Sequence, residues 1–121
     1  MAQNIQESLN KAMAMGGAVG AALVDFQSGM CLGTAGGGSI NLELAAAGNT
    51  EVVRAKKTVR DKLGLRDKIE DILITLDNQY HLIRMMHNNT NVFFYIILDR
   101  AKANLAMARL ELGQIDAGLH L

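Results

Sequence analysis

The chain contains no proline, no tryptophan and a single cysteine, and its formal net charge is zero. One cysteine cannot close an internal disulfide, so the fold has to hold by packing, and a reducing, cytoplasmic setting is expected. Basic and acidic residues number 12 each, which gives no pull toward nucleic acid or an acidic membrane. A balanced charge also does little to keep copies apart, which suits self-association. The apolar run from Ala12 to Val24 is too short to span a bilayer and holds Gly16, Gly17 and Gly20. A signal peptide needs a basic start, and only Lys11 precedes that run, with Glu7 nearby. Neither membrane insertion nor a cleaved leader is expected.

What is present suits one globular unit. At 121 residues, 50% hydrophobic and 20% charged, the chain can bury one core and not two. A single domain over 1–121 is expected, with its core at about 5–112 and a tail from 113 to 121 that is either frayed or docked.

The most patterned stretch runs from Ile69 to Leu112. Between Ile69 and Asp77, Ile72, Ile74 and Leu76 alternate with Asp71, Leu73 and Thr75, the period of a strand. Asn78-Gln79 suits a turn, and Tyr80 to Met86 alternates again. The polar cluster from His87 to Asn91 breaks the pattern. Val92 to Leu98 is apolar throughout, the mark of a strand covered on both faces. Asp99 then suits the N-cap of a helix to Leu112, which Gly113 ends.

Before the meander, residues 2–15 read as a helix with Ile5, Leu9, Ala12 and Met13 on one face, stopped by Gly16-Gly17. Ala18 to Asp25 and Met30 to Ala35 read as a hairpin around the turn residues Asp25 to Gly29, its small residues admitting a close-packed helix. Gly36-Gly37-Gly38 is a flexible break. Ser39 or Asn41 caps a long helix to about Leu63, and Gly64 follows.

That helix carries two stripes at helical spacing. Leu44, Gly48, Val52, Ala55, Val59 and Leu63 share one face; Leu42, Ala46, Asn49 and Val53, continued by Lys56 and Arg60, form a narrower second one. A helix lying on a sheet needs one stripe. The second needs another element or a second chain, and Ala45-Ala46-Ala47-Gly48 would let a backbone approach closely.

Catalytic signatures are missing. The glycine triplet precedes a helix, but Ser39 follows with no lysine, so the P-loop pattern is broken and a plain loop is the better reading. Cys31 sits mid-strand between Met30 and Leu32, where a buried inert thiol is the default. His81, His87 and His120 lack metal-ligand spacing, and the methionines at 13, 15, 30, 85, 86 and 107 fall inside apolar patterns. No cofactor is expected. Arg54, Lys56, Lys57, Arg60, Lys62, Arg66 and Lys68 alternate with acidic residues, which reads as a solvated face; the sharper alternative is a docking patch for an acidic surface. The lack of nearby aromatics argues against single-stranded nucleic acid.

Several stretches together resemble the roadblock, or dynein light chain-like, family. They are Gly17-Ala18-Val19-Gly20-Ala21-Ala22-Leu23-Val24-Asp25 with Ser28-Gly29, then Val59-Arg60-Asp61-Lys62-Leu63-Gly64-Leu65. Next come Ile69-Glu70-Asp71-Ile72-Leu73-Ile74-Thr75 and Tyr80-His81-Leu82-Ile83-Arg84. Last is Val92-Phe93-Phe94-Tyr95-Ile96-Ile97-Leu98-Asp99-Arg100, leading to Asn104-Leu105-Ala106-Met107-Ala108-Arg109. The resemblance covers about Ile5 to Leu112 and rests on their shared order, since each stretch alone is a hydrophobic pattern.

The resemblance implies an α/β fold of three layers, profilin-like, with a five-stranded antiparallel sheet in the order 2-1-5-4-3. The long helix would lie on one face and the terminal helices on the other. It implies a homodimer in which long helices pair and third strands join. Leu42, Ala45, Ala46, Asn49, Val53, Lys56 and Arg60, with Leu73 and Thr75, would then form the interface. It implies a non-catalytic cytoplasmic regulator or scaffold for a Ras-like small GTPase, most like the prokaryotic single-domain members. The alternatives are an adaptor subunit without GTPase regulation and a small-ligand sensor of profilin or PAS type, with a pocket near Cys31 or His81.

Overall fold

The computed structural model describes residues 4–121. In chain order it comprises α1 (Ile5–Met13), β1 (Ala18–Asp25), β2 (Cys31–Gly36), α2 (Leu42–Lys62), β3 (Asp71–Thr75), β4 (Gln79–Met85), β5 (Val92–Asp99) and α3 (Leu105–Gly118). The five strands form one antiparallel sheet in the order β2-β1-β5-β4-β3. The expected strand order and element order are both observed. Residues 2 and 3 of the first expected helix lie outside the described residues.

Strand β5 explains the layers. Successive side chains of a strand point to opposite faces, and here both sets are apolar and fully buried. Phe94, Ile96 and Leu98 join Ala21, Leu23 and Leu82 beneath α1 and α3. Phe93, Tyr95 and Ile97 join Ala22, Val24, Ile83 and Met85 beneath α2. One sheet thus separates two cores, with the long helix on one side and the terminal helices on the other.

The glycine triplet is a tight joint rather than slack chain. Gly36, Gly37 and Gly38 all take positive φ, a region that residues with a Cβ rarely adopt. The Gly37 N–H donates to Val19 O at 2.8 Å, and a Cβ on Gly20 would lie 2.8 Å from Gly37 Cα. Leu42 fills the remaining space at Gly37, where a Cβ would meet its Cδ1 at 2.9 Å. The joint sets the angle at which α2 enters over the sheet. Asn41, not Ser39, caps α2, its side chain accepting from Leu44 N at 3.0 Å.

The last helix differs from expectation at both ends. Asp99 closes a turn instead of capping: its carboxylate accepts from Ala101 N, and its carbonyl accepts from Lys102 N and Ala103 N. Asn104 is the actual cap, accepting from Met107 N at 3.1 Å. Gly113 does not end the helix, which runs through the expected tail to Gly118. A mid-helix glycine costs about 1 kcal/mol relative to alanine. Burial of Ile115 and Leu119 against the α1 side of the core offsets that.

Asp116 adds a second anchor. Its carboxylate accepts from Arg84 Nε at 3.3 Å and from the His87 backbone N–H at 3.2 Å. His87 Nδ1 lies 2.9 Å from Asp116 Oδ2 and 3.4 Å from Arg84 Nη2. A carboxylate only accepts, so the shorter contact places the proton on Nδ1. Arg84 and Asp116 side chains are only 10% and 3% exposed, and removing one partner of such a pair strands the other charge. Asp116→Ala is expected to lower stability by about 3–5 kcal/mol in urea unfolding. Replacing Arg84 and Asp116 together by Met and Leu recovers most of that loss; equal losses in both variants would refute the pairing argument.

Candidate interaction surface

Helix α2 lies across the sheet, and its two stripes have exchanged the places expected of them. Leu42, Ala46 and Val53 are 7%, 0% and 0% exposed and belong to the core beneath α2. Leu44, Val52, Val59 and Leu63 are 70%, 38%, 46% and 65% exposed. The narrow stripe packs on the sheet and the broad one faces outward.

The physical cause lies in the sheet. Phe93 and Tyr95 rise from β5 into this core, so the helix face above them has to be small. Ala46 and Val53 meet that need; a face bearing Leu44, Val59 and Leu63 would overfill it. Thr50 shares the inward face, its hydroxyl donating to Ala46 O at 2.7 Å. Leu42, Ala46 and Val53 are therefore not available to a second chain, which corrects their assignment to an interface.

The other expected interface residues are scattered. Ala45 is half-buried against the same core. Asn49 is half-buried. Arg60 is half-buried, donating to Asp61 Oδ1 at 3.2 Å and to the Asp67 carbonyl at 3.3 Å. Leu73 is half-buried on the opposite side of the sheet, against the core under α1 and α3. Lys56 and Thr75 are exposed.

The outward face is nonetheless continuous. Leu44, Gly48, Val52, Ala55, Val59 and Leu63 recur at spacings of three and four residues along α2, and Leu65 follows, half exposed. A Cβ built on Gly48 would meet nothing within 4 Å, so the stripe is open at its middle. At the sheet margin, β3 bonds only to β4 and leaves its other edge unpaired among the described residues. Leu76 is exposed just past the end of that strand. Arg109 of α3 grips Asp71 through two contacts of 3.0 and 3.2 Å, which fixes the start of the edge strand.

The residues weighed as chemical candidates are structural. Burial, then Glu43, pushes the Cys31 thiol above its ordinary value, away from a reactive thiolate. His81 sits between two partners: Nδ1 lies 2.8 Å from the Tyr95 hydroxyl and Nε2 lies 2.9 Å from Gln79 Oε1. The Gln79 oxygen only accepts, so Nε2 carries the proton and Nδ1 accepts from Tyr95. Burial lowers the His81 pKa from its ordinary 6.5 and raises that of Tyr95. Among the described residues no His/Cys/Asp/Glu group is suited to a metal ion, and no helix is long and apolar enough to cross a membrane.

The His81 environment has a pH signature. The folded pKa is depressed, so the unfolded chain takes up the proton first as pH falls through 6.5. Stability contributed by neutral His81 is complete above that pH, declines below it and levels off beneath the folded pKa. Thermal melts from pH 7.5 to 5 should show a steeper fall for wild type than for His81→Gln. Parallel curves would show that His81 does not report its burial.

At the level of sequence, no protein-family model matches the chain and no curated protein matches it. Solved structures do match in shape. The Roadblock/LC7 domain from Streptomyces avermitilis aligns with a TM-score of 0.81 at 10% identity, covering 97% of this chain and 94% of that one. Myxococcus xanthus MglB gives 0.75 at 17% identity over 92% and 84%. An MglB in a tetrameric arrangement gives 0.82 at 16% over 95% and 84%. At such identities the likeness is one of fold, and it extends over most of each chain: this protein has a roadblock-like fold.

Proposed function

We propose that the protein is a non-catalytic, cytoplasmic homodimer that binds a Ras-like small GTPase and regulates or positions it. The observation that carries this reading is the outward apolar stripe of α2, from Leu44 to Leu63. Water is a poor environment for a helix face of that length, and contiguous apolar patches rimmed by charge mark protein interfaces. A second copy is the occupant. Two such stripes laid together bury Val52 and Val59, and the free edge of β3 meets its counterpart, removing an aggregation hazard. The interface thus uses the stripe opposite to the one expected, together with Thr75 and Leu76 at the sheet margin. Lys56 remains exposed beside it, free to meet an acidic residue across the dimer.

The GTPase enters through the roadblock resemblance, supported by shape likeness to two MglB structures. A dimer without reactive groups acts by differential affinity. It binds one arrangement of the GTPase switch segments more tightly than another and shifts the population by that difference. The tetrameric arrangement of one MglB neighbour favours, as a second reading, an adaptor that assembles further without acting on nucleotide turnover.

Sedimentation equilibrium tests the dimer. Wild type is expected to sediment as a dimer at micromolar concentration and Val52→Glu/Val59→Glu as a folded monomer that still melts cooperatively, at a temperature lowered only by the lost association. Ala46→Arg and Val53→Asp, by contrast, should unfold the domain. A wild-type monomer would overturn the dimer. For the partner, Ras-like GTPases of the same genome, loaded with GDP or a non-hydrolysable GTP analogue, are assayed for binding and turnover. At least tenfold preference for one state is expected, and no binding in either state removes the GTPase from the proposal while leaving the dimer standing.

A further inference from the structure

A cleft of about 420 Å³ lies where the last turns of α2 meet the segment leading into β3 and the turn after β4. Ile69 and Met85 give it apolar lining and belong to the core beneath α2, whereas Met86, which also lines it, packs into the core on the other side of the sheet. Lys57, Arg60 and Lys68 line its walls, with Glu70 as the one carboxylate among its lining residues. All belong to one chain, so the cleft exists without a second copy. It lies apart from Cys31 and His81, where a ligand pocket was expected, and neither residue lines it.

The charges here are poorly neutralised. Arg60 shares Asp61 at 3.2 Å. Among the described residues, no carboxylate lies within 4.0 Å of the Lys57 or Lys68 ammonium. Lys57 instead rests over the Phe26 ring at 4.1 Å, with Arg54 at 5.0 Å from the same ring. Burial first, then Arg60 and Arg54, hold the Lys57 ammonium below its ordinary value, with Asp61 acting the other way. Half-buried Lys57 and Arg60 with exposed Lys68 give the cleft an excess of positive charge over Glu70, which an anion would offset. The cleft volume falls in the range of small-molecule sites, roughly 300–1,000 Å³.

We propose that this cleft binds a small amphiphilic anion, a phosphate monoester on an apolar body. A phosphate dianion matches Lys57 and Lys68 as point charges, while Arg60, held by Asp61 and the Asp67 carbonyl, adds positive charge at the wall without a free fork. The apolar body lies against Ile69 and Met85, whose flexible thioether chain adapts to an irregular guest. The site stands whether or not the domain regulates a GTPase, since it uses none of the outward stripe of α2.

Hexyl phosphate is the probe, titrated against the full chain by two-dimensional amide NMR, with inorganic phosphate and hexanol as comparators. Saturable shifts are expected at residues 57, 68 and 85–87, with affinity at least tenfold above either comparator. Lys57→Ala/Lys68→Ala should weaken binding at least tenfold, and Lys68→Ala alone, at an exposed position, should weaken it without altering the melting temperature. Equal affinity for inorganic phosphate would overturn the amphiphile. Shifts centred on Leu44, Val52 and Val59, or insensitivity to both lysine variants, would overturn the site. A parallel arm with phosphatidic acid vesicles separates the sources: binding to vesicles with no response to free hexyl phosphate would mean a membrane surface and overturn the small-molecule proposal.

Discussion

Strand β5 has no polar face, and a strand of that kind has to be covered twice. Phe93 through Leu98 are all essentially inaccessible to water. The requirement propagates outward through the register. β1 and β4 flank β5 on either side, and their inward residues alternate in step with it. At about 25 cal/mol for each Å² of apolar surface removed from water, the two faces of this one strand outweigh any single polar contact in the molecule. The helices are lids over those faces, and their chemistry is shaped by what stands beneath them.

That dependence explains what could be read from the sequence and what could not. Period-two alternation in β3 and β4, and its absence in β5, revealed the meander and the two-sided cover directly. The roadblock resemblance supplied the strand order, which no local pattern contains. The last helix was misplaced because Asp99 and Asn104 are both competent caps, and only packing chooses between them. Its far end was hidden by Gly113, a residue whose local preference is overruled by Ile115, Asp116 and Leu119 once they reach the core. Asp116 carried a signal of its own, an acidic residue near a helix C-terminus. The macrodipole disfavours it there unless a cation such as Arg84 waits opposite.

The α2 stripes show a subtler limit. Hydropathy ranks the Leu44 to Leu63 face as the better core face, because it carries more large apolar groups. Packing ranks it worse, because β5 already fills the space with Phe93 and Tyr95. Volume at an interface is shared between the two sides, and a pattern read from one side alone omits the other.

With the small face turned inward, the molecule presents two surfaces of opposite character along one helix. The outward stripe is apolar, broad and without a partner among the described residues. The flank near the C-terminal end of α2 is cationic and concave, lined by Lys57 and Arg60 together with Ile69 and Met85. A flat apolar face recognises shape and area, and its natural complement is another protein. A cationic recess with apolar lining suits an anion of limited size. Both arise from the same constraint. Turning Ala46 and Val53 down onto the aromatic residues of β5 turns Val52 and Val59 out and brings Lys57 and Arg60 to the margin of the sheet, where the turn after β4 completes the wall.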